Sequence, residues 1–506
     1  MTRLLCLARF MGSPRHALAV GLGRAANKAD CIRAGKGFAL ARPHPPGADA
    51  PLDPRISIAK CAKNRGGPGE IISPGRRRRS FLLRLIGLRF TACVLPILLC
   101  AAPASAYPVY DAGSRNIARL EPYQATALPA GARLPLALVD LRLTDRRDLD
   151  LPPPDQELAG RITARLGKDS AGFSFAVLDL SDPERPRYAE HRGEAISTAG
   201  SVGKLLIGLA FFQALADAWP DDFGVREKVL CETMVMADDI VLGDSHDVPL
   251  VGADGELTFR PLRQGDTANL WTWLDWMLSS SSNAAASMVL KQAMLLQRFG
   301  REYPVSRDRA ETAFAETEER RQAWLRATLV EPVARSGLDS AQLQQGKFFT
   351  RSGKRLAPGF ASRITVRELC RFMLRMEQGR LVDDYSSREL KRLLYLTEGR
   401  MRYAASPALY NAALYFKSGS LYSCTDEPGF DCGQYRGNKV NLLASVAEVE
   451  SPAQAPRAFY ISAVVSNVLR RNSSDLHKDL ATDIHRIIAR DVERNDGQEP
   501  VRAGLQ

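Results

Sequence analysis

The sequence predicts an α+β fold, in which an antiparallel five-stranded sheet flanked by helices is joined to an all-helical lobe. Two observations predict it. Short apolar runs typical of strands occur near both ends of the folded region, whereas the residues between them carry mostly the 3.6-residue spacing of helices. We expect the early and late strands to share one sheet, and a cleft to lie between the sheet and the helical lobe.

The predicted strands are runs rich in β-branched and aromatic residues, bounded by turn residues. The first two are separated by the turn at residues 182–186, which contains two prolines. The five strands are Gly172–Leu180, Arg187–Arg192, Ala412–Ser418, Val440–Val449 and Phe459–Asn467.

The predicted helices follow from apolar side chains that recur every three or four residues. Ser201–Ala218 has a wide apolar stripe and is expected to be buried. Residues 220–266 are expected to be mostly loops, and the last helix to pack on the sheet. The eight helices are Asp155–Lys168, Ser201–Ala218, Trp271–Leu278, Asn283–Phe299, Asp308–Leu329, Ile364–Glu377, Ser386–Tyr395 and Leu476–Arg490.

The positive net charge of the chain is confined to its N-terminal part. The whole chain has 506 residues and a formal charge of +12. Residues 1–106 contain 18 Lys and Arg against 4 Asp and Glu, so the remaining 400 residues carry a charge of −2. Nucleic-acid binding is therefore not expected, because the folded part lacks the necessary basic excess.

Residues 76–106 have the pattern of a signal peptide. The basic block Arg76–Arg79 precedes the apolar stretch Phe81–Ala102, and a small-residue cleavage site ends at Ala106. We expect cleavage after Ala106 and export to the periplasm or medium. A retained membrane anchor is the alternative, but the charge-free part, Phe90–Ala102, is too short to span comfortably, so no stable anchor is expected.

The remaining divisions of the chain follow from composition. Residues 1–75 are rich in Gly, Pro and Arg without periodicity, and are either a disordered leader or lie upstream of the true translation start. Residues 107–154 form an extended linker, 155–490 one folded domain, and 491–506 a polar tail.

Four of the nine cysteines follow the predicted cleavage site. Cys424 and Cys432 flank a turn-rich stretch and are predicted to close a loop by a disulfide in an oxidising compartment. Cys231 and Cys370 either pair or stay buried as thiols. The sequence contains no Cys-x-x-Cys or paired-His motif, so neither a metal nor another cofactor is expected.

The first motif with chemical content is Ser201-Val202-Gly203-Lys204. A three-residue spacing at a helix start places Ser201 and Lys204 on one face, beside unpaired N–H groups that can stabilise an oxyanion. A desolvated lysine has a lowered pKa and can accept a serine proton. Taken alone, the motif fits equally an N-cap serine followed by a solvated lysine, which is the commoner arrangement.

A second motif, Ser281-Ser282-Asn283, lies between two predicted helices. Ser281 could relay a proton to a leaving amine, and Asn283 could hold a substrate amide. An ordinary N-cap for the helix that follows is the alternative for this motif.

The third motif, Lys417-Ser418-Gly419-Ser420, ends a predicted strand. Lys417 can bind a substrate carboxylate there, and Gly419 permits a close approach to the backbone. The Ser420 N–H could act as an oxyanion donor together with that of Ser201. A solvated edge lysine beside a bulge glycine is the alternative.

In this order the three motifs resemble those of the penicillin-recognising serine hydrolases, and among them the class A β-lactamases. The resemblance covers about residues 155–490. It implies a β-lactamase/transpeptidase-like fold and an acyl-enzyme formed with a β-lactam or a peptidoglycan-derived acyl peptide. We expect a monomer. By motif, Ser201 is the nucleophile, Lys204 its base and Ser281 the proton shuttle, and the substrate contacts are Asn283, Lys417, Ser418, Gly419 and Ser420.

The sequence departs from the class A pattern at three points. Ser282 replaces the usual aspartate, Ser418 replaces a common threonine, and the Glu-x-x-Leu-Asn motif that activates the deacylating water is not visible. Glu331 is the only candidate for that base. β-Lactam hydrolysis is therefore the first expectation. A DD-peptidase-like enzyme, an esterase-like hydrolase and a non-enzymatic β-lactam- or muropeptide-binding domain stay open.

Overall fold

A computed structural model describes residues 129–251, 257–397 and 400–502. The predicted leader, the predicted signal peptide and residues 107–128 of the predicted linker lie outside the described residues. Eleven α-helices occur in the described ranges: α1 Gln156–Leu166, α2 Lys204–Ala218, α3 Phe223–Glu232, α4 Leu270–Leu278, α5 Asn283–Phe299, α6 Arg307–Phe314, α7 Glu318–Arg335, α8 Arg351–Leu356, α9 Val366–Glu377, α10 Asp384–Tyr395 and α11 Ser473–Arg502.

The described strands form one large sheet and two small ones. They are β1 Phe173–Asp179, β2 Arg187–His191, β3 Met234–Met236, β4 Asp247–Val251, β5 Leu257–Pro261, β6 Thr267–Asn269, β7 Ala413–Ser423, β8 Val440–Ser451 and β9 Ala458–Asn467.

The five-stranded sheet has the order β2-β1-β9-β8-β7, with every neighbouring pair antiparallel. The early strand β1 pairs with the last strand, β9, with Val177 opposite Ser462. This places β7 at an edge, where one side of its backbone is free to face the helical lobe. The predicted α+β fold, with its five-stranded antiparallel sheet, is confirmed.

Each face of the sheet contributes to a different apolar core. Alternating side chains such as Leu178 and Tyr415 join a large core with the helical lobe. Their neighbours Val177 and Phe416 pack on the opposite face against α1 and α11. This period-two partition is what a sheet covered on both faces requires.

Helix α2 is the central element of the helical lobe. Every residue from Lys204 to Leu215 is buried, as expected for a helix that is apolar all round. The segment Gly200–Ala218 is long and apolar enough to cross a membrane by composition, but most of it is buried inside the protein. It is therefore a core helix whose N-terminus is fixed against the sheet.

Several predicted elements differ from the observed ones. Residues 220–266 hold α3 and the strands β3, β4 and β5 rather than mostly loops. Strand β4 pairs with β5, and β3 pairs with β6, which lies just beyond this segment. The predicted helix Asp308–Leu329 is two helices, because Thr317 caps a new helix through its side chain. Helix α11 continues to Arg502, so most of the predicted polar tail is helical.

The described part of the predicted linker is packed into the domain. Leu136, Val139 and Leu143 are buried in the large core. The backbone N–H of Arg142 donates to Glu377, and the Arg142 side chain donates to Glu450. This segment therefore contributes to the stability of the domain.

A buried charge cluster lies between α9, α10 and β8. Lys391 Nζ is fully buried and lies 2.7–2.9 Å from carboxylate oxygens of Glu377, Glu448 and Glu450. Burial alone would lower the pKa of Lys391, but the three carboxylates raise it well above its usual value. Burial beside the other glutamates raises the pKa of Glu448. Lys391 is thus a charged lysine held inside the protein.

The hairpin between β7 and β8 contains the predicted disulfide. Cys424 and Cys432 form a disulfide, whereas Cys231 and Cys370 are buried thiols. Beyond the disulfide, Tyr435 returns the chain towards the sheet with a left-handed φ of 66°.

Candidate active site

Ser201 lies in a 3-10 turn, Gly200–Gly203, that leads directly into α2. The turn is pressed against the edge strand β7. A Cβ atom at Gly419 would lie 2.5 Å from the Ser201 backbone nitrogen and 3.0 Å from that of Val202. Only glycine allows this approach, because neither neighbour is a flexible side-chain end. Gly419 therefore fixes the position of Ser201 relative to β7.

Lys204 is fully buried beneath Ser201 and is surrounded by acceptors. Its Nζ lies 3.2 Å from Ser201 Oγ, 2.5 Å from the Ser281 carbonyl oxygen and 2.9 Å from Asn283 Oδ1. The ring of Phe349 lies 4.7 Å from the nitrogen and covers it from another side. The structure thus brings the first two motifs into direct contact.

Burial lowers the pKa of Lys204 to about 7, with a further lowering from Arg402 and an opposing effect from Asp244. No carboxylate in the described residues touches its nitrogen, in contrast to the three that surround Lys391. A neutral amine is therefore available near pH 7. Such an amine can accept the proton of Ser201.

Ser281 connects the two lysines of the site. Its Oγ lies 3.3 Å from Lys204 Nζ and accepts a hydrogen bond of 2.8 Å from Lys417 Nζ. Burial, together with the charges of Lys204 and Arg402, lowers the pKa of Lys417 well below its usual value. Ser281 has a φ of 59°, a left-handed conformation that costs about 1–3 kcal/mol for a residue other than glycine.

The free edge of β7 faces the cleft. The carbonyl oxygens of Phe416 and Ser418 accept bonds from Thr397 and Lys417, so these residues direct their backbone polar groups away from β8. In an antiparallel strand, alternate residues share that direction. The Ser420 N–H therefore points to the same side, into the cleft that Ser420 lines with Ser201. This direction suits the predicted oxyanion donor.

The cleft has a volume of about 320 Å³. Its lining combines all three motifs with residues from the β7–β8 hairpin and from the loop before β7. The lining residues are Ser201, His246, Leu278, Ser279, Ser280, Ser281, Asn283, Thr397, Met401, Arg402, Phe416, Lys417, Ser418, Ser420, Gln434 and Tyr435. Among these described residues no carboxylate occurs, so the lining is cationic.

Arg402 was not predicted from the sequence. Its guanidinium donates to Ser418 Oγ at 2.7 Å, to Ser420 Oγ at 3.2 Å and to Tyr435 OH at 3.0 Å. Like Ser281, it has a left-handed φ, here 56°. One basic residue among many in an irregular segment carries no sequence signal, and only the fold brings it to the third motif.

Asp244 and His246 were also missed. The Asp244 carboxylate accepts hydrogen bonds from Ser282 Oγ at 2.8 Å and from the Ala284 N–H at 2.9 Å. His246 Nδ1 lies 2.6 Å from its other oxygen. A single aspartate in a segment expected to be mostly loop gives no indication of this role.

The structure does not bring Glu331 to the cleft. Glu331 lies on α7 and lines a separate small cavity with Gln213 and Asp217, on the second half of α2. Gln213 is nine residues beyond Lys204, roughly 13 Å along the helix. The ion pair of Arg335 with Asp217, at 2.8 Å, holds α7 at that end. Glu331 is therefore placed away from Ser201.

Several solved structures resemble the chain over nearly all of their own length while sharing little of its sequence. PBP-A is 15% identical over 67% of this chain and all of its own, with a TM-score of 0.40. TLA-3 extended-spectrum beta-lactamase is 12% identical over 67% and 99%, with a TM-score of 0.44. A class A beta-lactamase from Bacteroides cellulosilyticus is 14% identical over 67% and 97%, with a TM-score of 0.42.

No curated protein matches the chain. Residues 157–433, more than half of the chain, match the Beta-lactamase enzyme family. These residues include Ser201, Lys204, the Ser281–Asn283 turn and the third motif at Lys417. The resemblance inferred from the motifs is confirmed, and the chain belongs to the beta-lactamase enzyme family.

Proposed function

We propose that the protein is an active-site serine hydrolase that opens the β-lactam amide through an acyl-enzyme at Ser201. The observation that carries the proposal is the environment of Lys204. Its amine is buried, has a lowered pKa and lies within hydrogen-bonding distance of both Ser201 and Ser281. A serine with an adjacent neutral base is what nucleophilic acyl transfer requires.

The proposed acylation moves one proton through the site. Ser201 Oγ attacks the carbonyl carbon while Lys204 Nζ takes the hydroxyl proton. The Ser201 and Ser420 N–H groups stabilise the resulting oxyanion. When the C–N bond breaks, Ser281 donates its proton to the leaving nitrogen, and Lys204 replaces it with the proton taken from Ser201, across the 3.3 Å contact. Lys417, at 2.8 Å from the same Ser281 oxygen, holds the hydroxyl in place.

The cationic lining supports an anionic substrate. Arg402 presents two nitrogens towards Ser418 and Ser420, and Lys417 contributes a third polar contact nearby. A β-lactam carboxylate could accept hydrogen bonds from these groups, in the manner of a planar guanidinium pairing with a carboxylate. The proposed substrate is therefore a small anionic acyl compound.

A second candidate is a DD-peptidase-like enzyme that is acylated but releases its product slowly. One observation favours it: no carboxylate lines the described part of the cleft, and Glu331 lies elsewhere. Without a group that activates water, deacylation is slower than acylation.

Intact-mass time courses with a penicillin and a cephalosporin distinguish the candidates. Loss of drug without a lasting adduct supports hydrolysis. A long-lived adduct on Ser201 supports the peptidase-like enzyme. No drug loss and no adduct contradicts both.

We also propose export, on the strength of residues 76–106 and of the Cys424–Cys432 disulfide, which fits an oxidising compartment. N-terminal sequencing of protein from the medium or periplasm tests it. A mature N-terminus at Tyr107 is expected.

A further inference from the structure

The Ser281–Asn283 turn is supported by a carboxylate that reaches it from a distant part of the chain. Asp244 follows the 3-10 turn Asp239–Val241 in the chain. Its carboxylate contacts the Ser281–Asn283 turn. One of its oxygens accepts from both Ser282 Oγ and the Ala284 N–H, while the other accepts from the backbone and ring of His246. All of these contacts lie within 3.3 Å, so both carboxylate oxygens are occupied.

Asp244 is buried under groups that line the cleft. Its side chain is 2% exposed, whereas that of His246 is 39% exposed at the cleft surface. Burial raises its pKa, but the hydrogen bonds from His246, Ala284 and Ser282 outweigh burial and hold the pKa far below the usual value. Asp244 is therefore negatively charged at any pH at which the protein would work.

The charge of Asp244 acts on a cationic site. The charged and titratable groups that face Lys204 are Lys417, Arg402 and, through the Ser282 turn, Asp244 with its partner His246. Of these, only Asp244 is an acid. It partly offsets the charge of Arg402, and it raises the pKa of Lys204 while burial and Arg402 lower it.

We propose that Asp244 is a positioning residue for acyl transfer, which holds the Ser281–Asn283 turn in place and supplies a negative charge that opposes the effect of Arg402 on Lys204. This inference rests on the proposed function. It assigns to the segment between α3 and α4 a part in the reaction.

Backbone strain shows why such support is needed. The left-handed φ of Ser281 persists only where the surroundings over-determine it. Ser282 is fixed from three sides: its N–H donates to the Trp276 carbonyl, its Oγ donates to Asp244, and the same Oγ accepts from the Ala285 N–H. The class A enzymes that the motifs resemble usually have aspartate where this chain has Ser282. Here the carboxylate comes instead from Asp244, 38 residues earlier.

Two substitutions separate the two effects. Asp244→Ala removes both the acceptor and the charge, and the acylation rate constant is expected to fall about 10²-fold, as for a misplaced reacting group. Asp244→Asn keeps the shape and one acceptor but removes the charge.

Asp266→Asn is the matched control, because Asp266 lies in the same segment and pairs with Arg260 away from the cleft. It should leave acylation unchanged.

The pH profile gives the readout that a purely structural role would not change. Acylation needs neutral Lys204, so its rate rises with pH around the pKa of Lys204, about 7. Removing the Asp244 charge lowers that pKa, so the rising limb of Asp244→Asn should move to lower pH. NMR titration of 13C-labelled lysine should show the same shift without any substrate, with Lys204 assigned by its loss in Lys204→Ala.

A rescue variant completes the test. In Asp244→Ala with Ser282→Asp, the new carboxylate can cap the α5 N-terminus and restore a negative charge near Lys204. The acylation rate constant of this double variant should be at least about tenfold higher than that of Asp244→Ala alone. Melting temperatures, measured for every variant, identify any that fail to fold.

The inference is overturned if Asp244→Ala acylates within twofold of the parent, or if the Lys204 midpoint does not move in Asp244→Asn. If no β-lactam acylates the parent protein, that result contradicts the proposed function rather than the inference about Asp244. The lysine titration then still decides whether Asp244 sets the charge state of Lys204.

Discussion

Replacing Lys391 by methionine tests how much stability depends on the buried charge cluster. Methionine matches the length of the lysine stem but has no charge. The substitution leaves three buried carboxylates, Glu377, Glu448 and Glu450, with oxygens that all lie within 4.8 Å of one another. Arg142 remains on Glu450, so the cluster loses its central cation and retains one at its margin.

The expected decrease in the free energy of unfolding follows from the proton that must replace the lysine charge. At an effective dielectric constant of 20, two carboxylates 4.8 Å apart repel by about 3.5 kcal/mol. Protonating one glutamate relieves this repulsion. From an unfolded pKa of 4.5, that proton costs about 3.4 kcal/mol at pH 7, at about 1.4 kcal/mol per unit. We expect a loss of about 3 kcal/mol at pH 7, in line with broken buried pairs.

The sign of the pH dependence is fixed by linkage. In the parent, Lys391 lowers the pKa of both Glu448 and Glu450, so its removal raises both pKa values, and the folded variant should bind about one more proton than the folded parent between pH 4.5 and pH 7. Stability is therefore retained below pH 4.5 and is lost as pH rises. The deficit relative to the parent should shrink by about 1.4 kcal/mol per unit on acidification, to under about 1 kcal/mol at pH 5.

Urea denaturation of parent and variant from pH 5 to pH 8 measures this deficit. Lys291→Met is the control, because the Lys291–Asp238 pair is partly exposed and should be worth at most about 1 kcal/mol at either pH. Adding Glu448→Gln to Lys391→Met removes one buried charge and should restore most of the lost stability. A deficit below about 1 kcal/mol at pH 7, or one that does not change with pH, would refute the reasoning.

Three further predictions concern the cleft. Ser201→Ala should abolish the β-lactam adduct in mass spectrometry while leaving the melting temperature unchanged; an adduct formed at the parental rate would remove Ser201 from the mechanism. Gly419→Ala should slow acylation by about 10²-fold, because its Cβ would lie 2.5 Å from the Ser201 nitrogen; stopped-flow rates near the parental value would contradict the close approach. Arg402→Lys should raise KM for a penicillin about tenfold with little change in kcat, since one ammonium cannot reproduce the forked contacts to Ser418 and Ser420; an equal loss in kcat would argue against a binding role.

The parts of the fold that could be predicted are those in which local pattern and tertiary environment agree. The strand predicted at Gly172–Leu180 is observed at Phe173–Asp179, and the helix Asn283–Phe299 has the predicted ends, because apolar runs and caps mark these boundaries. Helix α3 was missed because its apolar residues lie on no single face. Neither the pairing of β4 with β5 nor that of β3 with β6 has a strong sequence signal, since these strands are short and partly exposed.

The motif residues of the site could be predicted, but their supporting residues could not. Ser201, Lys204 and Lys417 lie in motifs with fixed spacing, and the structure brings them together. Arg402 lines the cleft and Asp244 lies buried beneath its lining, and tertiary contacts rather than periodicity determine the position of both. Arg402 also has a left-handed backbone angle that no local pattern predicts. The roles assigned to all of them stay predictions until the variants are measured.

The pairing of β1 with β9 also sets the order in which the domain can fold. Phe175 lies opposite Val464, near the other end of the chain, and β9 separates β1 from β8. Contacts at such sequence separation form slowly, because a long loop must close before they give any stabilisation. While β9 is still inside the ribosome, β1 and β8 each have one edge without a partner strand. The nucleophile turn then rests on a half-built sheet, so activity should appear only after the last strand is inserted.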